Sequence, residues 1–97
     1  MVTPTAYSVF LAPKARKTLD KLEKSTTLML LSRFVALEEI PYKPRPSADI
    51  KKVKGNWSPP MYRLRIGKFR VEYFIDDAER FVYIAEIFQR SGRSDYK

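Results

Sequence analysis

Four charged side chains at alternating positions give this chain its clearest chemical opportunity. Arg63, Arg65, Arg70 and Glu72 lie in the stretch Met61–Ile75, MYRLRIGKFRVEYFI, which alternates polar and apolar residues on both sides of Gly67-Lys68. A period of two marks a half-buried strand, and a two-residue loop with glycine, which readily takes positive φ, joins two such strands in a fixed register. That register sets Ile66 against Phe69, Arg65 against Arg70, Leu64 against Val71 and Arg63 against Glu72. One face then carries Tyr62, Leu64, Ile66, Phe69, Val71 and Tyr73, and the other carries the arginines and Glu72. Like charges directly opposite each other destabilise a strand pair, so Arg65 against Arg70 is a local cost that a bound polyanion would offset. Guanidinium groups grip phosphate bidentately and stay charged at any physiological pH. Three or four of them on one open face could stabilise the extra charge that develops on a phosphate under attack. Glu72 shares that face and is a candidate general base, with pairing to the arginines as its drawback.

Three weaker constellations accompany this one. The tail QRSGRSDYK brings Arg90, Arg93 and Tyr96; it either folds back over the arginines or is a fraying terminus. Lys51, Lys52 and Lys54, with Lys68 in the turn and a basic segment at Lys14–Lys24, either form a solvated surface or hold a nucleic-acid backbone without reading its sequence. Trp57, Tyr62, Phe69 and Tyr73 could stack bases, although the last three sit on the apolar face and read as core.

Composition narrows the classes further. The 97 residues suit a single domain spanning 1–97 with a core of its own. There is no Cys and no His, which removes disulfides, thiolate zinc sites, the commonest general base and the commonest metal ligand. Glycine-rich phosphate loops and nucleophile–base pairings are also absent, so no metal and no cofactor is expected. Lys and Arg number 19 against 11 Asp and Glu, a net charge of +8. Such a balance favours nucleic acid, an anionic surface or an acidic protein partner. No apolar run approaches the ~20 residues of a membrane span and no signal peptide opens the chain, so a cytoplasmic location is expected.

The elements that must position the hairpin follow in order. Ala6–Leu11 is short and rich in aromatic and β-branched residues, as a first strand should be. Pro13 suits a first helical turn, and Ala15, Leu19 and Leu22 recur at helical spacing. Ser25-Thr26-Thr27 can end that helix and cap a second one over Leu28–Ile40, whose apolar band is wide enough for burial on two sides. Pro41, Pro44 and Pro46 stop the helix. Ile50–Lys54 reads as a strand, Asp76–Arg80 as a polar turn and Phe81–Phe88 as the last strand. The order β-α-α-β-β-β predicts an α+β fold, two N-terminal helices packed on one face of a largely antiparallel sheet.

Several of these residues form a familiar pattern. Lys54-Gly55, the run Tyr62-Arg63-Leu64-Arg65-Ile66-Gly67-Lys68-Phe69-Arg70-Val71-Glu72-Tyr73, the opening Tyr7-x-Val9 with Ala15-x-Lys17-x-Leu19-x-Lys21-Leu22, and the ending with Arg90 and Tyr96 together resemble the RelE/ParE toxin superfamily, on its RelE-like side. The resemblance covers nearly the whole chain and implies a RelE-like fold. It further implies the toxin of a type II toxin–antitoxin pair, an endoribonuclease that cuts messenger RNA in the ribosomal A site and is neutralised by a RelB-like antitoxin. On that pattern Arg63 and Arg65 match phosphate-contacting positions, Arg70 and Arg90 match active arginines, and Tyr96 matches a tyrosine near the C-terminus. Some members carry lysine at the positions of Arg63 and Arg65. Arginine cannot give up its proton to serve as a base, so Tyr96, with cations around it to favour the phenolate, becomes the favoured proton acceptor and Glu72 its rival. Two alternatives share the fold: a ParE-like toxin that inhibits DNA gyrase by binding, and a nucleic-acid-binding module without catalysis.

Overall fold

The computed structural model describes residues 6–46 and 48–89. Arg90, Arg93 and Tyr96 lie outside them. In chain order the elements are β1 (Ser8–Leu11), α1 (Pro13–Lys21), α2 (Lys24–Arg33), α3 (Val35–Glu39), β2 (Asp49–Lys52), β3 (Met61–Ile66), β4 (Phe69–Asp76) and β5 (Phe81–Gln89). Among the described residues the strands make one sheet in the order β1-β5-β4-β3-β2. Only the β1–β5 pair is parallel; the other three are antiparallel. In the chain the helices lie between β1 and the other four strands. They cover one face, as expected for an α+β fold with the helices packed on one side of a largely antiparallel sheet; α2 and α3 take the place of the second helix.

The hairpin keeps the register that its turn dictates. Arg65 stands opposite Arg70, Arg63 opposite Glu72, Leu64 opposite Val71 and Ile66 opposite Phe69. Gly67 has φ +58°, the left-handed conformation that a residue with a Cβ takes at a cost of roughly 1–2 kcal/mol. Leu64, Ile66, Phe69, Val71 and Tyr73 are buried together with Ala15 and Leu19 of α1, Leu30 of α2 and Leu37 of α3. Each large apolar side chain so removed from water contributes about 1.5–3 kcal/mol before chain entropy is counted. Tyr62 is half-buried and stacks on Tyr73, with ring centroids 6.1 Å apart and planes 20° apart.

The helical half departs from expectation in two places. The first helix ends at Lys21, where Leu22 and Glu23 turn extended, and α2 begins at Lys24, so Ser25-Thr26-Thr27 form its first turn instead of a cap. Thr27 Oγ1 donates instead to the Leu19 carbonyl, 3.0 Å away, and ties the two helices together. The expected helix over Leu28–Ile40 is also broken at Phe34, whose N–H is shared between the carbonyls of Leu30 and Leu31. Phe34 points inward with Leu30 and Leu37, while Leu28, Leu31 and Val35 remain exposed. The wide apolar band thus has one covered side and one bare side. Arg45 fastens the end of α3: its Nη1 donates to Ile40 and Lys43 carbonyls at 2.8 and 2.7 Å, and its Nη2 to Ala36 at 2.9 Å. Ile40 and Lys43 lie just beyond the helix, while the Ala36 carbonyl also accepts from the Ile40 N–H at 3.2 Å.

Candidate nucleic-acid interface

The face of the sheet opposite the helices is built in rows that the strand pairing defines. The row nearest the hairpin turn runs Phe88, Arg70, Arg65, Asp49 across β5, β4, β3 and β2. The next runs Glu86, Glu72, Arg63, Lys51. A third runs from β1 as Phe10, Tyr83, Phe74, Met61. Directly opposed residues point to the same side of a sheet, so each row is a set of neighbours.

Three of the four charges in the middle row are paired. Arg63 donates to Glu72 Oε2 through Nη2 at 2.7 Å and through Nε at 3.2 Å. Glu86 stands across from Glu72, and Lys14 at the start of α1 reaches it at 3.4 Å. Glu72 is therefore held by Arg63 and flanked by a second carboxylate. Arg65 extends toward solvent with only a long contact to Asp49, 3.8 Å. Exposed pairs of that kind contribute ~0–1 kcal/mol, so Arg65 can be recruited by a stronger anion at little cost.

Arg70 departs from the expectation that it stands exposed and contributes little to packing. It lies on the arginine face, but only 8% of its surface is exposed, and Nη1 donates to the carbonyls of Gly67 and Phe69, both at 3.2 Å. Alternation fixes which side of the strand it occupies and says nothing about what lies over it. A buried guanidinium anchored on the turn carbonyls is an oriented charge, already desolvated and aimed beside Arg65.

The lysines divide. Lys51 is opposite Arg63 and joins the arginine face. Lys52 is opposite Tyr62 and belongs to the helix side. Lys54 lends its carbonyl to Trp57 Nε1 at 3.0 Å, and Lys68 is exposed in the hairpin turn. Phe69 and Tyr73 are core, while Trp57 is exposed, packed edge-on against Phe74 with centroids 6.1 Å apart. Gly55 lies beneath that indole: a Cβ there would come within 2.8 Å of Trp57 Nε1, and its φ of +125° suits glycine alone.

Two phenols on the covered side have raised pKa values. Burial and a hydrogen bond to Asp77 push Tyr7 up to about 12. Burial raises Tyr73 further, and its hydroxyl donates to the Pro41 carbonyl at 2.7 Å. Both are held neutral and lie on the side of the sheet opposite Arg63, Arg65 and Arg70, so neither is a proton acceptor for chemistry on the open face. Among the described residues no three His, Cys, Asp or Glu side chains converge as metal ligands.

Glu86, Phe10 and Tyr83 escaped the sequence reading, as did the pairing of Lys14 with Glu86. Glu72 pairs with Glu86 but Tyr73 with Ile84, so β5 carries one extra residue at Ala85. Such a bulge shifts the alternation. Buried Val82 and Ile84 are followed by Ile87 instead of Glu86, and that break in phase was the available signal.

A family model described as the ParE toxin of the type II toxin–antitoxin system parDE matches residues 9–93. The chain belongs to that toxin family. The Methanocaldococcus jannaschii protein named RelE1 is 45% identical to the toxin over 49 residues, 50% of this chain and 52% of the relative, so the match spans about half of that protein's length. RelE in the archaeal RelE–RelB complex from Pyrococcus horikoshii OT3 superposes with a TM-score of 0.76 at 28% identity, covering 90% of this chain and 98% of the other. The toxin–antitoxin complex RelBE2 of Mycobacterium tuberculosis gives 0.71 at 24% identity, covering 88% and 99%, and shares the fold. The toxin is RelE-like in architecture, while the matching family model carries the ParE description. The same fold therefore carries both names, and the site must decide between targets.

Proposed function

We propose that this toxin is a ribosome-dependent endoribonuclease that cuts messenger RNA in the A site, acting in the cytoplasm without a metal ion. The observation that carries the reading is the enforced pair of Arg65 and Arg70, one exposed and one buried, on a face shared with Arg63 and Lys51. A binding module would gain nothing from burying one of two opposed cations. An active site gains an oriented charge for the phosphorane-like state. In the reaction the 2′-oxygen attacks the adjacent phosphorus and the bond to the 5′-oxygen breaks. The products are a 2′,3′-cyclic phosphate and a 5′-hydroxyl. The attacking hydroxyl loses a proton and the leaving oxygen gains one. Arg63, Arg65, Arg70 and Arg90 are assigned to charge stabilisation, and Lys51, Lys52, Lys54, Lys68 and Arg93 to the RNA and ribosomal backbone.

Tyr96 is the proposed proton acceptor. Glu72 is the alternative, and its pairing with Arg63 at 2.7 Å counts against it. Inhibition of DNA gyrase by binding is the second reading, favoured by the ParE description of the family model. Radiolabelled messenger RNA with and without ribosomes, run beside a gyrase supercoiling assay, separates the two. Cleavage only with ribosomes, with Tyr96→Phe reducing it by ~10²–10⁴, supports the nuclease. Lost supercoiling with intact RNA supports the gyrase reading. Full activity in Tyr96→Phe moves the proton acceptor to Glu72.

The proposed partner is a RelB-like antitoxin with an amphipathic helix. Several solved structures of this fold, the Pyrococcus horikoshii OT3 one among them, are complexes of RelE with RelB. The bare stripe of Leu28, Leu31 and Val35, at helical spacing, offers an apolar surface for such a helix. The net charge of +8 favours an acidic one.

A further inference from the structure

The third row of the open face has no part in the chemistry described above, yet it sets two exposed aromatic rings side by side. Phe10 is 50% exposed and Tyr83 39%, although both sit in paired strands. Phe81 meets Phe10 edge-on, with centroids 5.5 Å apart and planes at 86°. Beside them Ser58, Pro59, Phe74, Asp76, Phe81 and Tyr83 line a pocket of about 340 Å³. That is within the ~300–1,000 Å³ range of sites that take small organic groups.

Resting on the RNA-cleaving reading, we infer that this row and its pocket are a base-stacking subsite for the messenger strand whose scissile phosphate lies over Arg65 and Arg70. Along a strand, residues two apart on one face are separated by roughly 7 Å. The aromatic row therefore begins one such step beyond Arg63 and two beyond Arg65. A single strand laid along β3 and β4 with its phosphates on the guanidinium rows would carry its next bases onto the rings of Phe74 and Tyr83. Asp76 at the pocket wall, with its carboxylate accepting from the Glu79 N–H at 3.0 Å, repels a phosphate but not a neutral base. The charge pattern thus orders the strand, phosphates toward the hairpin turn and a base toward Asp76. A helical protein partner is better served by the aliphatic stripe of Leu28, Leu31 and Val35 on the other side of the molecule, whereas flat exposed rings suit flat bases.

The test uses the full-length toxin and ribosome-bound messenger RNA carrying a single abasic nucleotide at successive positions on either side of the cut. With the unaltered toxin, one flanking position should lower single-turnover cleavage about tenfold when abasic. Tyr83→Ala combined with Phe10→Ala should lower cleavage of intact RNA about tenfold and become indifferent to that abasic position, with the melting temperature retained. Tyr83→Phe keeps the ring and should keep the rate. If the double variant cleaves normally, or remains as sensitive to the abasic position, the subsite is refuted while the nuclease stands. If it cleaves normally but no longer binds the antitoxin, the row is a protein interface and the inference is likewise overturned. If the unaltered toxin neither cuts nor binds messenger RNA, the nuclease reading falls and the subsite falls with it.

Discussion

The two faces of the β3–β4 hairpin are made from the same alternating residues and obey different rules. On the covered face Leu64, Val71 and Tyr73 interdigitate with helical side chains, and size and shape decide what fits. On the open face Arg63, Arg65, Arg70 and Glu72 are arranged by charge, and one of their contacts, Arg65 against Arg70, works against the fold. A sheet keeps such a conflict only where the core behind it is strong enough to hold both cations in place. Stability is concentrated on the covered side, and under the proposed function the other face is the one that meets an anion.

The largest effect that separates the faces should come from Leu64→Ala. Leu64 is 2% exposed, and truncating a buried leucine costs about 2–5 kcal/mol. At roughly 4–8 °C per kcal/mol for a domain of this size, thermal unfolding should shift down by about 8 °C or more. Arg65→Ala, the neighbouring position on the opposite face, should leave the melting temperature level or raise it slightly, because a like-charge contact is lost. Ribosome-dependent cleavage should fall ~10²–10³. An equal stability loss in both variants would erase the distinction.

Arg70→Ala probes the residue that belongs to both faces. Its burial and its hydrogen bonds to Gly67 and Phe69 put the expected destabilisation at about 1–3 kcal/mol, alongside loss of cleavage. Denaturant unfolding with a single-turnover assay measures both. If stability is untouched, Arg70 belongs with Arg65. Leu31→Glu should change stability by less than ~0.5 kcal/mol, since Leu31 is already exposed. It should nevertheless weaken rescue of growth when toxin and antitoxin are co-expressed. Full rescue would place the antitoxin elsewhere.

The smallest effect concerns pH. Tyr7 titrates at about 12 in the folded chain against the ordinary value near 10, so its neutral form is the one the fold favours. Its contribution is complete below pH ~10 and is lost as pH rises from there through about 12. Tyr7→Phe should flatten that part of an alkaline melting series, and an unchanged alkaline slope would exclude Tyr7 as its source.

Most of the fold was legible because strong local signals agreed. The two-residue turn at Gly67-Lys68 and unbroken alternation on both sides left one register for the hairpin. Pro13 and the three prolines after Ile40 bounded the helical half. What escaped was long-range or out of phase. The extra residue at Ala85 hid Glu86 and Tyr83 from an alternation count. The role of Arg45 depends on carbonyls of Ala36 and Ile40 that only the folded chain brings to it. Arg70 was placed on the right side of the sheet but not at the right depth, because periodicity carries no information about covering layers. The roles read for Arg90 and Tyr96 rest on the family resemblance, and that of Arg93 on the basic composition of the tail.

The position of β5 in the sheet has a consequence for the toxin's own synthesis. Of the described strands it is the last to be made, yet it lies between β1 and β4, pairing Ser8 with Phe81. Until Phe81–Gln89 has cleared the exit tunnel, β1 has no neighbour and the Arg70 row has no Phe88 beside it. The nascent chain therefore carries its arginines but not a finished surface for them.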